Sequence, residues 1–405
     1  MGSDYKKQRN CGVDCLRIVA MFAIVLQHCI LHGGILQEQN IFSVKYGLVD
    51  FVTFFCFGAV NTYLLISGYI NVNTKYKLSR IMYLWIEVIF YNLIINIVAT
   101  LILKTPVTAD IILRIFTPLL HHEYWFFTRY TLLFLLMPII NMIAHKMSKK
   151  CYRIFLIVIY VLFCFVAPVV KKYTGIDIFI LKGGYSTVWF VAMYMTGAYF
   201  RLHFILEKKK KIVYFLGFVF FSLLLYLDNE FIPTFFKQYK NVEISSILSS
   251  DTYSSPFTVL AVVCMLLLFV NIDFSNRIKH FVCSVGPLTF GVYLIHDNPI
   301  TREYVVSRVP KMFEQNFGNS LVIWMVLCAV FFFFTCLLIE FLVQLLFKKI
   351  EVRQVCNKIC LFFAKIFKKV PPIYNLFFAD LVNSCNSEKR CSQKQQMTIS
   401  IIEEF

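Results

Sequence analysis

Ten apolar runs, most of them about as long as a helix that crosses a bilayer, divide the chain. With 59% hydrophobic and only 16% charged residues, the chain has too little polar surface to cover a soluble core. We therefore predict an all-α polytopic membrane protein with about ten transmembrane helices. The runs lie at residues 12–31, 48–70, 81–103, 125–144, 152–170, 186–203, 212–228, 254–272, 283–301 and 319–347.

Lysine and arginine residues cluster in alternate loops between these runs, which is typical of cytoplasmic loops. The basic clusters are Lys6, Lys7 and Arg9; Lys75, Lys77 and Arg80; Lys146, Lys149, Lys150 and Arg153; and Arg201 with Lys208 to Lys211. The loop after the seventh run is acidic, with Asp228, Glu230, Glu243 and Asp251. The charges predict cytoplasmic termini and an outer position for this loop. Because the net charge of +17 comes from such orientation signals, nucleic acid is not a predicted partner.

The chain is predicted to have three parts, residues 1–350, 351–382 and 383–405. The first is the ten-helix membrane domain. In the second, basic and apolar residues interleave at helical spacing, which predicts an amphipathic helix on the anionic lipid of the inner leaflet; a solvated continuation of the tenth helix is the alternative. The third is polar and predicted to be disordered. The fourteen cysteines form neither CxxC pairs nor zinc-ligand spacings with histidine, so no metal site is predicted.

The first run contains an arginine, Arg17, and a histidine, His28, eleven residues apart. In an α-helix this spacing is three turns, or about 16 Å, so both side chains lie on one face. Asp14 lies on that face too and can neutralise the arginine. An ionisable residue inside a membrane segment by default faces the protein interior or a wet cavity and marks a functional site. His28 is therefore the leading candidate, with a purely structural histidine as the alternative.

His296 is the second candidate, with a catalytic and a structural role equally compatible with the sequence. Its helix runs from inside to outside, as the first helix does, so His28 and His296 are expected in the outer halves of their helices and could share a cavity. Tyr293 lies one turn below His296 on the same face. A polar cluster in the second run either lines a cavity or packs helices together. Its members are Asn61, Thr62, Ser67 and Gly68.

The other histidines that we considered fit less specific roles. His145, His203 and His280 lie in or beside basic cytoplasmic loops, where a solvated side chain is the simplest explanation. His121 and His122 begin an outer stretch rich in tyrosine and tryptophan, which is typical of an interfacial belt.

A neutral imidazole is the side chain best suited to deprotonating a hydroxyl group at neutral pH. On the cytoplasmic side, Arg17 with Lys77 and Arg80 could hold the phosphates of a nucleotide-bearing thioester. The distance of about 16 Å from Arg17 to His28 is comparable to an extended pantetheine arm. The sequence contains no GxGxxG motif after a strand, P-loop, GxSxG elbow or HExxH motif. Hydride transfer, nucleotide hydrolysis, serine-triad hydrolysis and zincin chemistry therefore lose support.

Several segments together resemble a known family. DCLRIVAMFAIVLQH, with Arg17 and His28, is similar to the opening helix of acyltransferase family 3, the bacterial integral-membrane acyltransferases that O-acetylate surface polysaccharides. LLISGYI, YWFFTRYTLLFLLMPIIN, VWFVAMYMTGAYFRL and TFGVYLIH resemble later segments of that family, in the same order. The resemblance covers roughly Asn10 to Phe347. One departure is Tyr76, which stands where many relatives have the first of two arginines, with Lys75 and Lys77 as near substitutes.

The resemblance implies an enzyme of the bacterial cytoplasmic membrane that takes acetyl-CoA from the cytoplasm and acylates a hydroxyl of a surface polysaccharide or lipid-linked oligosaccharide outside. The expected catalytic residues are His28 and His296. The expected donor-binding residues are Arg17, Lys77 and Arg80, and the expected substrate-cavity residues are Asp14, Ser67 and Tyr293.

Two alternative functions remain. A membrane-bound O-acyltransferase of the other large class has its histidine in an apolar segment late in the chain, unlike His28. A transporter or flippase of a glycan or lipid-linked sugar commonly has repeated halves and broken helices, and neither is evident in this sequence.

Overall fold

The structure is a computed structural model that describes residues 10–36, 42–104, 106, 108–121, 123–204, 210–246, 248, 252–316, 320–378 and 382. Within these ranges the chain forms helices and no strand, which confirms the predicted all-α class. Some predicted features lie outside the described residues. They are the charges at Lys6, Lys7, Arg9, Lys208, Lys209 and Asp251, the interfacial His122, and the polar tail 383–405.

The α-helices of the described residues are numbered here in chain order. They are α1 (Cys11–Leu31), α2 (Val44–Cys56), α3 (Ala59–Asn71), α4 (Ser79–Leu103), α5 (Ala109–Phe116), α6 (Trp125–Lys146), α7 (Lys149–Val161), α8 (Ala167–Thr174), α9 (Thr187–His203), α10 (Lys211–Tyr226), α11 (Ile232–Lys240), α12 (Pro256–Val270), α13 (Asn276–Val285), α14 (Thr289–His296), α15 (Pro299–Thr301), α16 (Val309–Asn316), α17 (Leu321–Lys349), α18 (Val352–Phe367) and α19 (Pro371–Phe377).

All ten predicted apolar runs fall on helices. Among the described residues, eight helical segments are long and apolar enough to cross a membrane: Cys11–Leu31, Lys45–Asn71, Ser79–Leu103, Trp125–Lys146, Lys149–Thr174, Lys211–Lys240, Asn276–His296 and Leu321–Lys349. The other two runs correspond to Thr187–His203, of 17 residues, and Pro256–Val270, of 15 residues. The protein is thus a polytopic membrane protein, while the count of ten and the cytoplasmic termini stay predictions.

Helix α1 lies at the centre of the bundle and contacts α2, α3, α12, α13, α14 and α17. Asn10 is the N-cap residue of α1, because its side-chain oxygen accepts hydrogen bonds from the backbone amides of Gly12 and Val13. Its side-chain nitrogen donates to the Val270 carbonyl. A Cβ atom on Gly12 would lie 1.9 Å from the backbone oxygen of Phe269. The N-terminal end of α1 is therefore fixed against the end of α12.

Helices α3 and α9 approach each other closely through two glycines. A Cβ on Gly68 would lie 1.9 Å from the Tyr194 carbonyl oxygen, and a Cβ on Gly197 would lie 2.0 Å from the Leu65 oxygen. Small residues permit such approaches between membrane helices. Gly68 therefore packs helices together, which is the second of the two roles that the sequence allowed for its cluster.

Helix α18, which follows the last predicted membrane run, has an apolar face with a four-residue period at Val352, Cys356, Cys360 and Ala364, all buried. This face packs against the protein, mainly α4, with Cys360 contacting Met82. On the other side Phe362 remains 62% exposed. The segment is therefore a helix docked on the bundle, and its contact with lipid stays a prediction.

Candidate functional site

The C-terminal end of α1 forms one wall of a cavity of about 300 Å³. Met21, Ile24 and His28 of α1 line it at helical spacing, and Arg17 precedes Met21 by one turn on the same face. Much of the remaining wall is aromatic. Its rings include those of Tyr63, Trp125, Phe126, Tyr185, Tyr253 and Tyr293. Two of the expected site residues, His28 and Tyr293, therefore lie in one cavity.

A carboxylate, Asp297, lies beside His28. The Nδ1 atom of His28 is 3.5 Å from the Oδ1 atom of Asp297, whose side chain is only 3% exposed. An Arg302 guanidinium nitrogen is 3.4 Å from the same Asp297 oxygen. Burial raises the pKa of Asp297 to about 7, and the positive charge of Arg302 opposes that rise. Arg302 donates a hydrogen bond to Asp297, whereas Nδ1 of His28 has no hydrogen-bond partner among the described residues. We call Arg302, Asp297 and His28, which ends in the cavity, the relay.

The segment around Asp297 is held by an amide and a tyrosine. Asn298 is the N-cap residue of α15, since its side-chain oxygen accepts from the Ile300 amide. Its side-chain nitrogen donates to the Tyr124 hydroxyl, 2.9 Å away, and that hydroxyl donates to the Leu294 carbonyl. These bonds fix the break between α14 and α15, which is where Asp297 projects.

His296 does not line the cavity but lies behind His28. It is 1% exposed, and its ring centroid is 5.1 Å from that of His28. Its Nδ1 lies 2.7 Å from the Val292 carbonyl oxygen, which can only accept, so Nδ1 carries the proton. Its Nε2 has no hydrogen-bond partner among the described residues. The structure brings the two histidines together, but only His28 reaches the cavity.

Asp14 and Arg17 lie at the other end of α1. An Arg17 guanidinium nitrogen is 2.9 Å from the Asp14 carboxylate, and the two side chains are 27% and 3% exposed. Asp14 packs against Gly286, where an added Cβ would lie 2.9 Å from the aspartate Cβ. Neither side chain lines the cavity. Tyr63 connects this end to it, because its ring lines the cavity while its hydroxyl donates to the Arg17 carbonyl at 2.8 Å.

A second polar cluster surrounds Tyr130 of α6. Both Arg17 and Arg80 lie within electrostatic range of the Tyr130 hydroxyl, which is 3.1 Å from the Ser67 hydroxyl. Ser67 in turn accepts from the Asn71 amide group. Thus Ser67 belongs to the arginine end of the site and not to the His28 cavity. Lys77 is half-buried and lies one turn before Arg80, whose backbone amide donates to the Lys77 carbonyl oxygen.

A line of aromatic rings joins the two ends. The Tyr130 ring stacks on that of Phe126 at a centroid distance of 5.8 Å, and Phe126 lies 6.0 Å from Tyr293 in the cavity wall. The Tyr63 ring contacts Phe126 from the side of α3, at 6.4 Å. A slender chain following these rings would run from the half-buried Arg17 and the exposed Arg80 to His28.

Sequence reasoning missed several residues of this region. Asp297 follows His296 directly in the chain, Arg302 lies six residues after His296, and His32 follows His28 by one turn and lines the same cavity. The available signal for Asp297 was a carboxylate next to a candidate histidine at the end of a membrane helix. The sequence indicated Asn61 only as a member of a polar cluster. In the structure its side chain accepts a hydrogen bond from the Trp189 indole and donates one to the Tyr253 carbonyl, and these bonds fix part of the cavity wall.

A pair of acidic side chains inside the bundle was also missed. Glu87 of α4 and Glu340 of α17 are 2% and 0% exposed. The Tyr91 hydroxyl and the Gln344 amide donate to Glu340 at 2.5 and 2.6 Å, and Gln344 also donates to Glu87. Each glutamate interrupts a predicted membrane run, so the signal was present in the sequence.

Comparison with known proteins adds a family. A family model described as an acyltransferase domain matches residues 10–344. No curated protein and no solved structure matches the chain closely enough to count as a relative.

Proposed function

Because the chain belongs to acyltransferase family 3, whose family model matches residues 10–344, we propose that it transfers an acyl group from acyl-CoA to a glycan hydroxyl at a site within the membrane. The acyl group is acetyl by default, and the acceptor is a surface polysaccharide or a lipid-linked oligosaccharide. The observation that carries the proposal is the position of His28, which lies on the wall of an aromatic cavity with Asp297 at its Nδ1. We assign the enzyme to a bacterial cytoplasmic membrane.

The donor is proposed to bind at the arginine end. Arg17 and Arg80 present two cations around Tyr130, and guanidinium groups suit phosphate oxygens because they can donate two parallel hydrogen bonds. From there the pantetheine arm would follow the rings of Tyr130, Phe126 and Tyr293 toward the cavity. The distance of about 16 Å along α1 from Arg17 to His28 suits that arm. Lys77 supplies a further positive charge beside Arg80.

His28 is proposed to act as the general base. In the active state we propose that Nδ1 of His28, 3.5 Å from Asp297 Oδ1 here, moves closer and donates its proton to that carboxylate, which leaves the Nε2 lone pair to take the proton of the acceptor hydroxyl. The hydroxyl oxygen attacks the thioester carbonyl carbon, the bond from carbon to sulfur breaks, and the imidazolium returns its proton to the CoA thiolate. The negative charge of Asp297 stabilises the imidazolium between these steps. The base acts either on the glycan hydroxyl directly or on an intermediate acceptor.

The acceptor is proposed to occupy the aromatic part of the cavity. Pockets for small ligands are commonly lined by aromatic side chains with a few polar groups that fix orientation. Here the polar groups are Gln27, His32 and Arg302, which line the cavity with His28. A sugar ring placed against the aromatic wall would present a hydroxyl to the imidazole.

The test is acyl transfer by membranes containing the protein, measured as CoA release and as the mass of the surface glycan with and without the gene. We expect one acetyl group per glycan repeat when the gene is present. His28→Gln should lower the rate by about 100-fold or more, as expected for loss of a general base. The matched control is His145→Gln, because His145 bonds the Val72 carbonyl, does not line the cavity and should tolerate the change. An unchanged glycan mass, or full activity of the His28 variant, would refute the proposal.

A further inference from the structure

Within the part of the chain that the structure describes, one group of histidine and carboxylate side chains has donor atoms close enough together to hold a metal ion. It consists of His28, His32 and Asp297, whose donor atoms lie within 4.8 Å of one another. His28 lies in the last turn of α1 and His32 is the C-cap residue of that helix, with ring centroids 4.7 Å apart. We propose that these three residues form an inhibitory site for Zn²⁺ or a similar divalent transition-metal ion that arrives from the outer side.

The donor set selects the class of cation. Two imidazole nitrogens and one carboxylate oxygen suit Zn²⁺, Cu²⁺ and Ni²⁺, whereas Mg²⁺ and Ca²⁺ prefer sites made of oxygen alone. Three protein ligands with a water in the fourth position is a common zinc arrangement. Because bonds to zinc measure about 2.0 to 2.2 Å, the three donor atoms must draw together somewhat when the ion binds. Rotation of the His32 side chain, at the end of α1, provides that adjustment.

The site can be reached from the surface through His32. This residue lines the His28 cavity and also a second cavity of about 430 Å³, which includes Gly33, Ser307 and Lys311. By the predicted topology this end of α1 faces outward. An ion in the external medium therefore meets His32 first.

Arg302 opposes metal binding and thereby sets the affinity. Its guanidinium lies 3.4 Å from Asp297 Oδ1, so a bound cation must compete with it for that carboxylate. The Arg302 side chain is 39% exposed, which leaves it room to turn outward when a metal ion takes its place. Removing this charge should strengthen metal binding, an effect opposite in sign to the loss of a ligand.

Inhibition follows from the role of His28, and this part of the inference rests on the proposed function. A metal ion bound to an imidazole nitrogen takes up its lone pair and withdraws electron density from the ring, which makes the ring a poor base. Where the ion takes Nδ1, the His28 nitrogen nearest Asp297, it replaces the Nδ1 proton; the ring proton is then on Nε2, which has no lone pair left for the acceptor hydroxyl. The ion would thus stop proton transfer while leaving the donor end around Arg17 unchanged.

The experiment measures metal binding directly, on the full chain purified without a polyhistidine tag. Zn²⁺ affinity is obtained by competition with a chromophoric chelator, and Co²⁺ serves as a spectroscopic probe because its visible absorption reports the ligand geometry. We expect one ion per chain, weakened about 100-fold or more by His32→Gln, since even loss of an outer-shell partner costs about 10- to 100-fold. Arg302→Gln should bind more tightly. His121→Gln is the matched control, because His121 bonds Thr117 on another outer segment.

Zinc inhibition of acyl transfer is measured next, with each variant compared with its own rate in chelator. In His32→Gln, the zinc concentration that halves the rate should rise by about the same factor as the zinc dissociation constant. Mg²⁺ should not inhibit. Equal zinc affinity in the wild type, His32→Gln and Arg302→Gln proteins would overturn the site, and activation by zinc would overturn its inhibitory role. Because binding is measured without substrate, failure of the metal site is distinguished from failure of the proposed acyl transfer.

Discussion

The substitution Asp297→Asn tests the relay that ends in His28. It keeps the size of the side chain and removes its negative charge, so the cavity wall is preserved. In the wild type this charge lies 3.5 Å from the Nδ1 atom of His28. We expect a large fall in kcat with little change in the KM for acyl-CoA, because the charge acts on the imidazolium that forms during the reaction and not on the donor.

The magnitude follows from the geometry. Two unit charges 3.5 Å apart interact by about 5 kcal/mol at an effective dielectric constant of about 20. Arg302, 3.4 Å from the same carboxylate, offsets part of this interaction. A net loss of about 2 to 4 kcal/mol of imidazolium stabilisation corresponds to a decrease in kcat of about 30- to 1,000-fold.

The pH profile provides an independent readout. Burial raises the pKa of Asp297 to about 7, against the opposing charge of Arg302. The carboxyl is therefore ionised above about pH 7 and neutral below it, so wild-type kcat should fall as the pH drops through this value. Asp297 has His28 and Arg302 directly beside it and His32 and His296 next to His28, and these side chains also carry or can take up charge. In Asp297→Asn the step near pH 7 should be missing, since the amide does not titrate.

The assay is steady-state CoA release by purified protein in chelator, from pH 5.5 to 9, with abundance and thermal stability measured alongside. Asp110→Asn is the control, because Asp110 is an exposed carboxylate paired with Arg114 at 2.7 Å and lies outside the cavity. A folded Asp297→Asn protein with more than half of the wild-type kcat would refute the relay. So would a variant that keeps the same step near pH 7.

Three further predictions concern the donor end, the acidic pair and the helix contact. Arg17→Ala should raise the KM for acyl-CoA strongly, with a smaller fall in kcat. Arg17→Lys should recover only part of the lost donor affinity, because lysine keeps the charge and loses the two parallel hydrogen bonds of a guanidinium. An unchanged KM with a large fall in kcat would contradict a donor-binding role for Arg17. Tyr91→Phe removes the donor to Glu340 and should cost about 1 to 3 kcal/mol of stability in a thermal assay, whereas Tyr173→Phe, at a side chain 76% exposed, should cost nothing measurable. Gly197→Ala should sharply reduce membrane abundance, since its Cβ meets the Leu65 backbone oxygen; a normal yield of stable protein would show that α3 and α9 can separate without harm.

The sequence by itself determined the class of fold and the geometry within single helices. Apolar runs of membrane-spanning length become helices because a backbone without water must satisfy its own hydrogen bonds, and each predicted run coincides with one or more helices of the described residues. The relation of Arg17 to His28 was also predictable, since a spacing of eleven residues fixes a shared face whatever surrounds the helix. The motif in the opening helix, together with the four later segments, was sufficient to indicate the family, which the match to the family model confirms.

Only the tertiary structure decided which side chains meet. Asp297 reaches Nδ1 of His28 because α14 ends at His296 and the chain breaks at Asn298, a contact between distant parts of the chain. Ser67 and Asp14 lie at the arginine end and away from the cavity, and His296 lies behind its wall. The physical reason is that a membrane helix is apolar both toward lipid and toward its neighbours. Hydropathy therefore locates each helix along the chain but does not determine its rotation or its partners, which side-chain packing and buried hydrogen bonds set.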